Sequence, residues 1–255
     1  DGGTISSAGG ALRLRQTDER LNLLPRLAQC FLDSRDQNRV EHSVAEMLSQ
    51  RVYGLALGYE DLNDHEQLRT DPLFSVLAGR EEVDKPLAGK STLNRMELGN
   101  GTQDRYKKIT FWKQGIDALL VSVFIESQEE IPKHIILDVD TTDLPLHGKQ
   151  EGRFFHGYYD SYCYLPLYIV CGEQVLCTRL RESNQDAYAG SLPELQRIIT
   201  QLRAAWPEVK IILRGDSGFC RNELMSWCEA NHVDYVFGLA RNQRLRRIIG
   251  REMWE

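Results

Sequence analysis

Lys133-His-Ile-Ile-Leu-Asp-Val-Asp-Thr-Thr-Asp143 is an apolar run that ends in carboxylates, and a second run, Val209 to Leu213, leads into Arg214-Gly-Asp-Ser-Gly-Phe219. Ile135 to Thr141 and Val209 to Leu213 have the length and β-branched content of buried strands. Each strand therefore delivers an aspartate, Asp140 or Asp216, to its C-terminal end. In an open α/β sheet the ligand crevice lies outside the carboxyl ends of the strands, so the two can meet there despite their distance in the chain. Converging carboxylates suit Mg²⁺ or Mn²⁺, which prefer hard oxygen ligands and can activate water and neutralise a phosphate. One Asp at a strand end is as readily a cap or a turn residue. Two, each behind a buried-type strand, point to a metal site. Asp138 lies two residues before Asp140 on the same strand face and is a third candidate, supporting the metal from behind its ligands. Asp143 reads as a turn residue.

Outward from these strands, the pattern divides near Pro132. Residues 18 to 130 are expected to be helical. Leu21, Leu24, Leu27, Ala28 and Phe31 recur at helical spacing, as do Val44, Met47, Leu48, Val52, Leu55 and Ala56. Ser91 reads as an N-cap of a short helix, and Asp104 to about Ser127 as one long amphipathic helix. After Pro132 strands are expected at 135 to 141, 162 to 170 and 174 to 181, with a turn at Cys171-Gly172-Glu173. Then follow a helix from Leu192 to Ala205, a strand at Val209 to Leu213, a helix from Asn222 to Asn231, and a strand at Tyr235 to Leu239. The order β-β-β-α-β-α-β describes a ribonuclease-H-like mixed sheet with helices on its faces, an α/β fold. The expected domains are a helical region, 1–130, for DNA binding or dimerisation, and a ribonuclease-H-like catalytic domain, 131–255.

The composition, 42% hydrophobic and 27% charged, is that of an ordinary globular protein. No apolar run approaches the roughly 20 residues that cross a bilayer, and the first ten residues are polar, so no membrane association and a cytoplasmic location are expected. Six cysteines without a Cys-x-x-Cys pair give no zinc or redox motif and read as reduced, buried residues. The net charge of −6 excludes a protein that coats nucleic acid. Locally the balance reverses: Arg241, Arg244, Arg246, Arg247 and Arg251 occur without an intervening acid, a candidate DNA-binding helical face close in sequence to Asp216. His147 and His156 flank a Gly-rich connection, Gly148 to Gly157, expected to approach DNA, and structural or exposed roles suit the two histidines better than contact with the metal. The run Tyr158, Tyr159, Tyr162, Tyr164 and Tyr168 invites a base-stacking role, while strand propensity explains most of it.

These stretches together resemble the insertion-sequence transposases of the DDE superfamily, in particular the transposase DDE domain group 1. The likeness is carried by Leu137-Asp-Val-Asp-Thr-Thr-Asp143, Glu151-Gly-Arg-Phe-Phe-His-Gly-Tyr-Tyr-Asp160, Tyr162-Cys-Tyr-Leu-Pro-Leu-Tyr168, Ala205-Trp-Pro-Glu-Val209, Arg214-Gly-Asp-Ser-Gly-Phe-Cys-Arg221 and Gly238-Leu-Ala-Arg-Asn242. Upstream, Gly58 to Asp64, Leu68 to Pro72 and Ser91 to Arg95 are similar to that family's helical region. The resemblance implies DNA transposition in bacterial mobile elements: metal-dependent strand cleavage and strand transfer by two-metal phosphoryl transfer with Mg²⁺ or Mn²⁺. Its partners would be the element's terminal repeats and target DNA, with a homodimer as the expected assembly. Asp140 matches the first acid of the family's triad and Asp216 the second. The third, a Glu in an Asn-Arg-Ile-Lys-Glu-like helix downstream, has no counterpart before Glu255. The chain is therefore expected to be a C-terminally truncated transposase that binds DNA weakly and does not complete cleavage.

Two other readings compete. The Asp138-x-Asp140-x-Thr142 pattern also suits haloacid-dehalogenase-like phosphatases, with Asp138 as nucleophile and Asp140 as general acid. Such enzymes usually carry a second Asp four residues after Gly-Asp, where this chain has Cys220. An inactive transposase that keeps only DNA-binding or interaction surfaces is the non-enzymatic reading.

Overall fold

The computed structural model describes residue 6 and residues 8–80, 82–98, 108–240 and 242–250. The chain divides into two units, Asp1–Leu119 and Leu120–Glu255. The boundary falls inside a helix, whereas the change of sequence pattern suggested 130/131. The reason lies in packing: that helix gives Val121 and Phe124 to the core of the second unit.

The first unit carries α1 (Leu12–Leu21), α2 (Leu23–Gln29), β1 (Phe31–Asp33), α3 (Val44–Ala56), α4 (His65–Leu68), α5 (Pro72–Leu77), α6 (Lys90–Glu97) and β2 (Ile109–Phe111), with α7 (Lys113–Glu126) spanning the boundary. In α3 the apolar residues Val44, Met47 and Leu48 lie one turn apart and are buried against Leu93, Met96 and Ile109. Ser43 caps that helix by accepting from the Glu46 amide at 3.1 Å. Ser91 does not cap α6. The N-cap is Gly89, and the Lys90 amide donates instead to Glu66 Oε1 at 2.8 Å, so a carboxylate from elsewhere takes the role expected of the serine. Residues 18 to 130 are not wholly helical either. β1 and β2 pair antiparallel, Leu32 opposite Thr110, and the expected helix beginning at Asp104 starts at Lys113. Residues 104 to 107 lie outside the described residues.

The second unit contains β3 (His134–Thr141), β4 (Leu144–Pro145), β5 (Phe154–His156), β6 (Ser161–Tyr164), β7 (Leu167–Cys171), β8 (Gln174–Arg179), α8 (Ser191–Ala205), β9 (Lys210–Gly215), α9 (Asn222–Ala230), β10 (Asp234–Phe237) and α10 (Gln243–Ile248). Five strands form one sheet in the order β10-β9-β3-β7-β8. β3, β9 and β10 run parallel, and β7 is antiparallel to β3 and β8. Hairpin-connected strands followed by helix-connected parallel strands, with the first strand central, make a ribonuclease-H-like sheet. Its core unites Leu137, Val139, Leu167, Ile169, Ile211 and Leu213 with Leu195, Ile198, Ile199 and Leu202, the expected stripe of α8. Each such side chain contributes about 1.5–3 kcal/mol by leaving water.

One expected strand became two. Residues 162 to 170 are divided at Leu165-Pro166, since Pro166 has no N–H to extend a ladder. β6 joins β4 and β5 in a separate three-stranded sheet, ordered β4-β6-β5, and β7 joins the large sheet. The turn between β7 and β8 is where it was expected, with Gly172 at φ 60°, a conformation that costs glycine little. No helix among the described residues is long and apolar enough to cross a membrane. Among the described residues no two cysteines are joined in a disulfide, and Cys30, Cys163, Cys177 and Cys228 are buried.

Candidate active site

Along β3 the residues Ile135, Leu137 and Val139 enter the core, so Asp138 and Asp140 lie on the opposite, more open face. On β9, Ile211 and Leu213 do the same. The parallel register runs from His134 opposite Lys210 to Val139 opposite Gly215. Asp140 and Asp216 each follow the last of these pairs by one residue. Neighbouring strands are about 4.8 Å apart, so the two aspartates leave the sheet side by side at its C-terminal edge. Position 215 accommodates only glycine without movement: a Cβ there would lie 3.0 Å from Val139 Cγ1 and 3.2 Å from Phe219 Cβ.

Local hydrogen bonds orient both carboxylates. Asp140 Oδ1 accepts from the Thr141 amide at 2.7 Å. Asp216 Oδ1 accepts from the Gly218 amide at 2.8 Å, an Asx turn that carries the chain away from β9. The other oxygen of each has no hydrogen-bond partner among the described residues. The Asp216 turn is buttressed from two sides. Gly238, after β10, donates to Gly215 O at 3.1 Å, and Arg221 Nη2 binds Asp186 Oδ2 at 2.7 Å.

Asp138 is differently placed. Arg214 is its register partner on β9, and Nε and Nη2 of that guanidinium donate to its two oxygens, the latter at 2.8 Å. Asp138 is therefore on the expected face, but its oxygens are engaged by a cation.

The turn from β5 to β6 brings in Tyr159, whose hydroxyl lies 3.4 Å from Thr141 O. Burial raises its pKa above the ordinary tyrosine value, and the charges of Asp143, Asp140 and Asp216 push it the same way. The phenol therefore stays protonated, and three carboxylates share its surroundings. Sequence reading gave Tyr159 only as one of a tyrosine run; its place beside the acids depends on a turn that no local pattern specifies. His156 packs its ring 5.0 Å from Tyr159 and has a buried Nδ1 without a partner among the described residues, while His147 is exposed. Among the described residues no group of three His, Cys, Asp or Glu side chains is arranged to hold a metal ion. What Asp140 and Asp216 offer is a pair of hard oxygen donors, each with an oxygen to spare, which fits Mg²⁺ or Mn²⁺ and not a thiolate-loving metal.

Of the arginine cluster, Arg244 and Arg247 are exposed on α10 and Arg246 belongs to the same helix; Arg241 and Arg251 lie outside the described residues.

The family model of the transposase DDE domain, group 1, matches residues 1–254. The chain belongs to this transposase family. The membership, the antiparallel pair that follows β3 and the Arg214 contacts of Asp138 together overturn the phosphatase alternative. Among solved structures, this transposase-family chain is similar to the piggyBac transposase synaptic complex with hairpin DNA, at 9% identity and a TM-score of 0.42, covering 92% of this chain and 53% of that one. It is also similar to the Drosophila P element transposase strand transfer complex (12% identity, TM-score 0.29, 74% of this chain and 44% of that one). A third is the Mos1 mariner paired end complex with Mn (8% identity, TM-score 0.30, 91% and 78%). The chain thus spans about half the length of the piggyBac protein. No curated protein matches the sequence.

Proposed function

We propose that this chain provides the catalytic domain of a DNA transposase, which cuts DNA strands at the ends of an insertion sequence and transfers them to target DNA with Mg²⁺ or Mn²⁺. The observation that carries this reading is the β3–β9 register, which sets Asp140 and Asp216 together at the carboxyl edge of a ribonuclease-H-like sheet. Asp140 and Asp216 would hold the cation through the oxygens not used in backbone hydrogen bonds. A divalent cation there supplies charge for a phosphodiester and lowers the pKa of an attacking hydroxyl. Asp138, neutralised by Arg214, sets the charge behind the pair without competing as a ligand. Tyr159 stays protonated and remains a hydrogen-bond donor beside the acids. Arg244 and Arg247, with Arg241, Arg246 and Arg251 near them in sequence, contact phosphates, and the helical first unit serves in DNA binding or self-association.

Two measurements test this. Titration with Mn²⁺ is expected to show binding that Asp140→Asn and Asp216→Asn each weaken at least tenfold, by loss of a charged ligand. In a nicking assay on the element's own terminal sequence, any cleavage is expected to depend on metal and on Asp216. Because the net charge is −6, DNA affinity should be low and fall steeply with salt. Mn²⁺ binding indifferent to both substitutions, or cleavage that survives Asp216→Ala, places the chemistry elsewhere.

A further inference from the structure

The three-stranded sheet β4-β6-β5 groups exposed aromatic rings on one face. Leu144 stands opposite Tyr164, and Tyr162 opposite Phe155. Residues directly across a ladder share a face, as do residues two apart, so these four side chains lie on one side and Cys163 on the other. On the Cys163 side that thiol is fully buried, and Phe154 opposite it is 39% exposed. The other side leaves Phe155 53% and Tyr162 50% exposed, and Tyr158 in the connecting turn is 85% exposed. Exposed aromatic rings grouped in this way mark a contact surface, because water solvates their faces poorly.

Three further observations say what covers it. Arg153 holds its guanidinium 4.6 Å above the centre of the Tyr162 ring and donates to Gly148 O, so a planar cation is fixed in place on the patch. Phe155 and Tyr162 meet edge to face, their centroids 5.6 Å apart, forming a rigid aromatic pair. Tyr158 meets Tyr159 edge-on at 5.0 Å, and Tyr159 lies against Thr141 beside the carboxylates. Tyr158 thus touches the ring that lies beside the acidic edge. Paired bases conceal their faces within the duplex, while an unpaired nucleotide offers a flat π surface and a phosphate, which aromatic rings and a guanidinium match.

We propose that this face is a stacking platform for unpaired bases of the DNA strand, with Tyr158 and Tyr162 as the stacking rings and Arg153 as the cation. The inference rests on the transposase reading above and adds to it a class of ligand and a site outside the acidic pair. Such a platform would hold a strand opened near the cleavage point and keep it from re-pairing.

The test is fluorescence anisotropy with the full chain in EDTA, using a labelled single-stranded oligonucleotide and the duplex of the same sequence. The wild-type chain is expected to prefer the single strand. Tyr158→Ala and Tyr162→Ala should each weaken single-strand binding about tenfold while changing duplex binding little. Tyr158→Phe, which keeps the ring, should bind as wild type. Binding in EDTA needs no metal, which separates this proposal from the metal chemistry: failed cleavage with intact stacking counts against the catalytic reading alone. Circular dichroism melts establish that the variants fold; Tyr162→Leu, which keeps apolar bulk without the aromatic face, must also lose affinity. No preference for the single strand, or alanine variants that bind it normally, overturns the platform. So does a sedimentation result in which Tyr158→Ala dissociates a dimer without altering single-strand affinity, since the occupant would then be a second copy.

Discussion

Asp138 and Arg214 face each other across two parallel strands, and both oxygens of the carboxylate accept from the one guanidinium. The pair is solvent-facing, with 29% and 59% of the two side chains exposed, so it adds little to stability. Its effect is on the charge felt two residues along the strand, at Asp140. Removing one member leaves the other uncompensated.

Asp138→Asn should therefore weaken Mn²⁺ binding by roughly three- to tenfold, because an unneutralised Arg214 repels the cation. Arg214→Gln should strengthen it by a similar factor, and the double variant should return close to wild type. Calorimetric titration at low ionic strength measures all three, and the differences should shrink as salt rises. Shifts of the same sign in the two single variants would contradict this account.

Glu194 on α8 is the better-buried charge. Its side chain, 15% exposed, receives Arg179 at 2.6 and 2.8 Å and Arg197 at 3.1 Å. Burial works to raise its pKa, yet the two arginines hold it below the ordinary glutamate value. A lowered folded-state pKa means that the contribution is complete above the unfolded-state value and disappears as the pH falls through the folded one. Glu194→Ala should cost about 3 kcal/mol in urea unfolding at pH 7, since it removes the carboxylate that binds two largely buried guanidinium groups. At pH 3 the difference from wild type should be smaller.

The strands that deliver Asp140 and Asp216 were legible because their apolar runs are long, β-branched and bounded by turn residues. α8 was legible because Leu195, Ile198, Ile199 and Leu202 keep the helical period. β4 and β5, of two and three residues, were not: strands so short carry no alternation, and their pairing is set by β6. β1 and β2 were missed for the same reason. Asp138 illustrates a different limit. Its face followed from the two-residue period, but its partner depended on register between strands distant in sequence. Tyr159 reaches the acids through a turn with Asp160 at φ 51°, which the sequence does not announce.

His65 makes the first unit sensitive to acid. The ring is fully buried, accepts from Gln50 Nε2 through Nδ1 at 3.2 Å, and leaves Nε2 without a partner among the described residues. Burial lowers its pKa, and the nearby Arg51 lowers it further. The unfolded chain therefore takes up a proton that the folded chain resists. Stability should be constant above about pH 6.5 and fall as the pH drops from there towards the folded-state value. In His65→Gln the melting temperature should decline less between pH 6.5 and 5. Parallel wild-type and variant curves over that interval would assign the acid sensitivity to another group.

Gly218 separates the geometry of the site from the stability of the fold. A Cβ at this position would lie 2.9 Å from Asp216 Oδ1 and 3.1 Å from Ala187 Cβ. Ala187 belongs to the segment whose Asp186 is tied to Arg221, so it resists displacement, and the carboxylate is the part that can rotate. Rotation breaks the hydrogen bond from the Gly218 amide and turns the free oxygen away from Asp140. Gly218→Ala should thus reduce Mn²⁺ affinity about tenfold or more while unfolding within about 1 kcal/mol of wild type, the ordinary range of a substitution outside the core. Gly157→Ala is the control, since no described residue lies within 4 Å of where its Cβ would sit. It should leave both quantities unchanged. A Gly218→Ala chain that binds Mn²⁺ normally, in the same buffer where Asp216→Asn does not, would show that the Asx turn does not fix the carboxylate in its binding orientation.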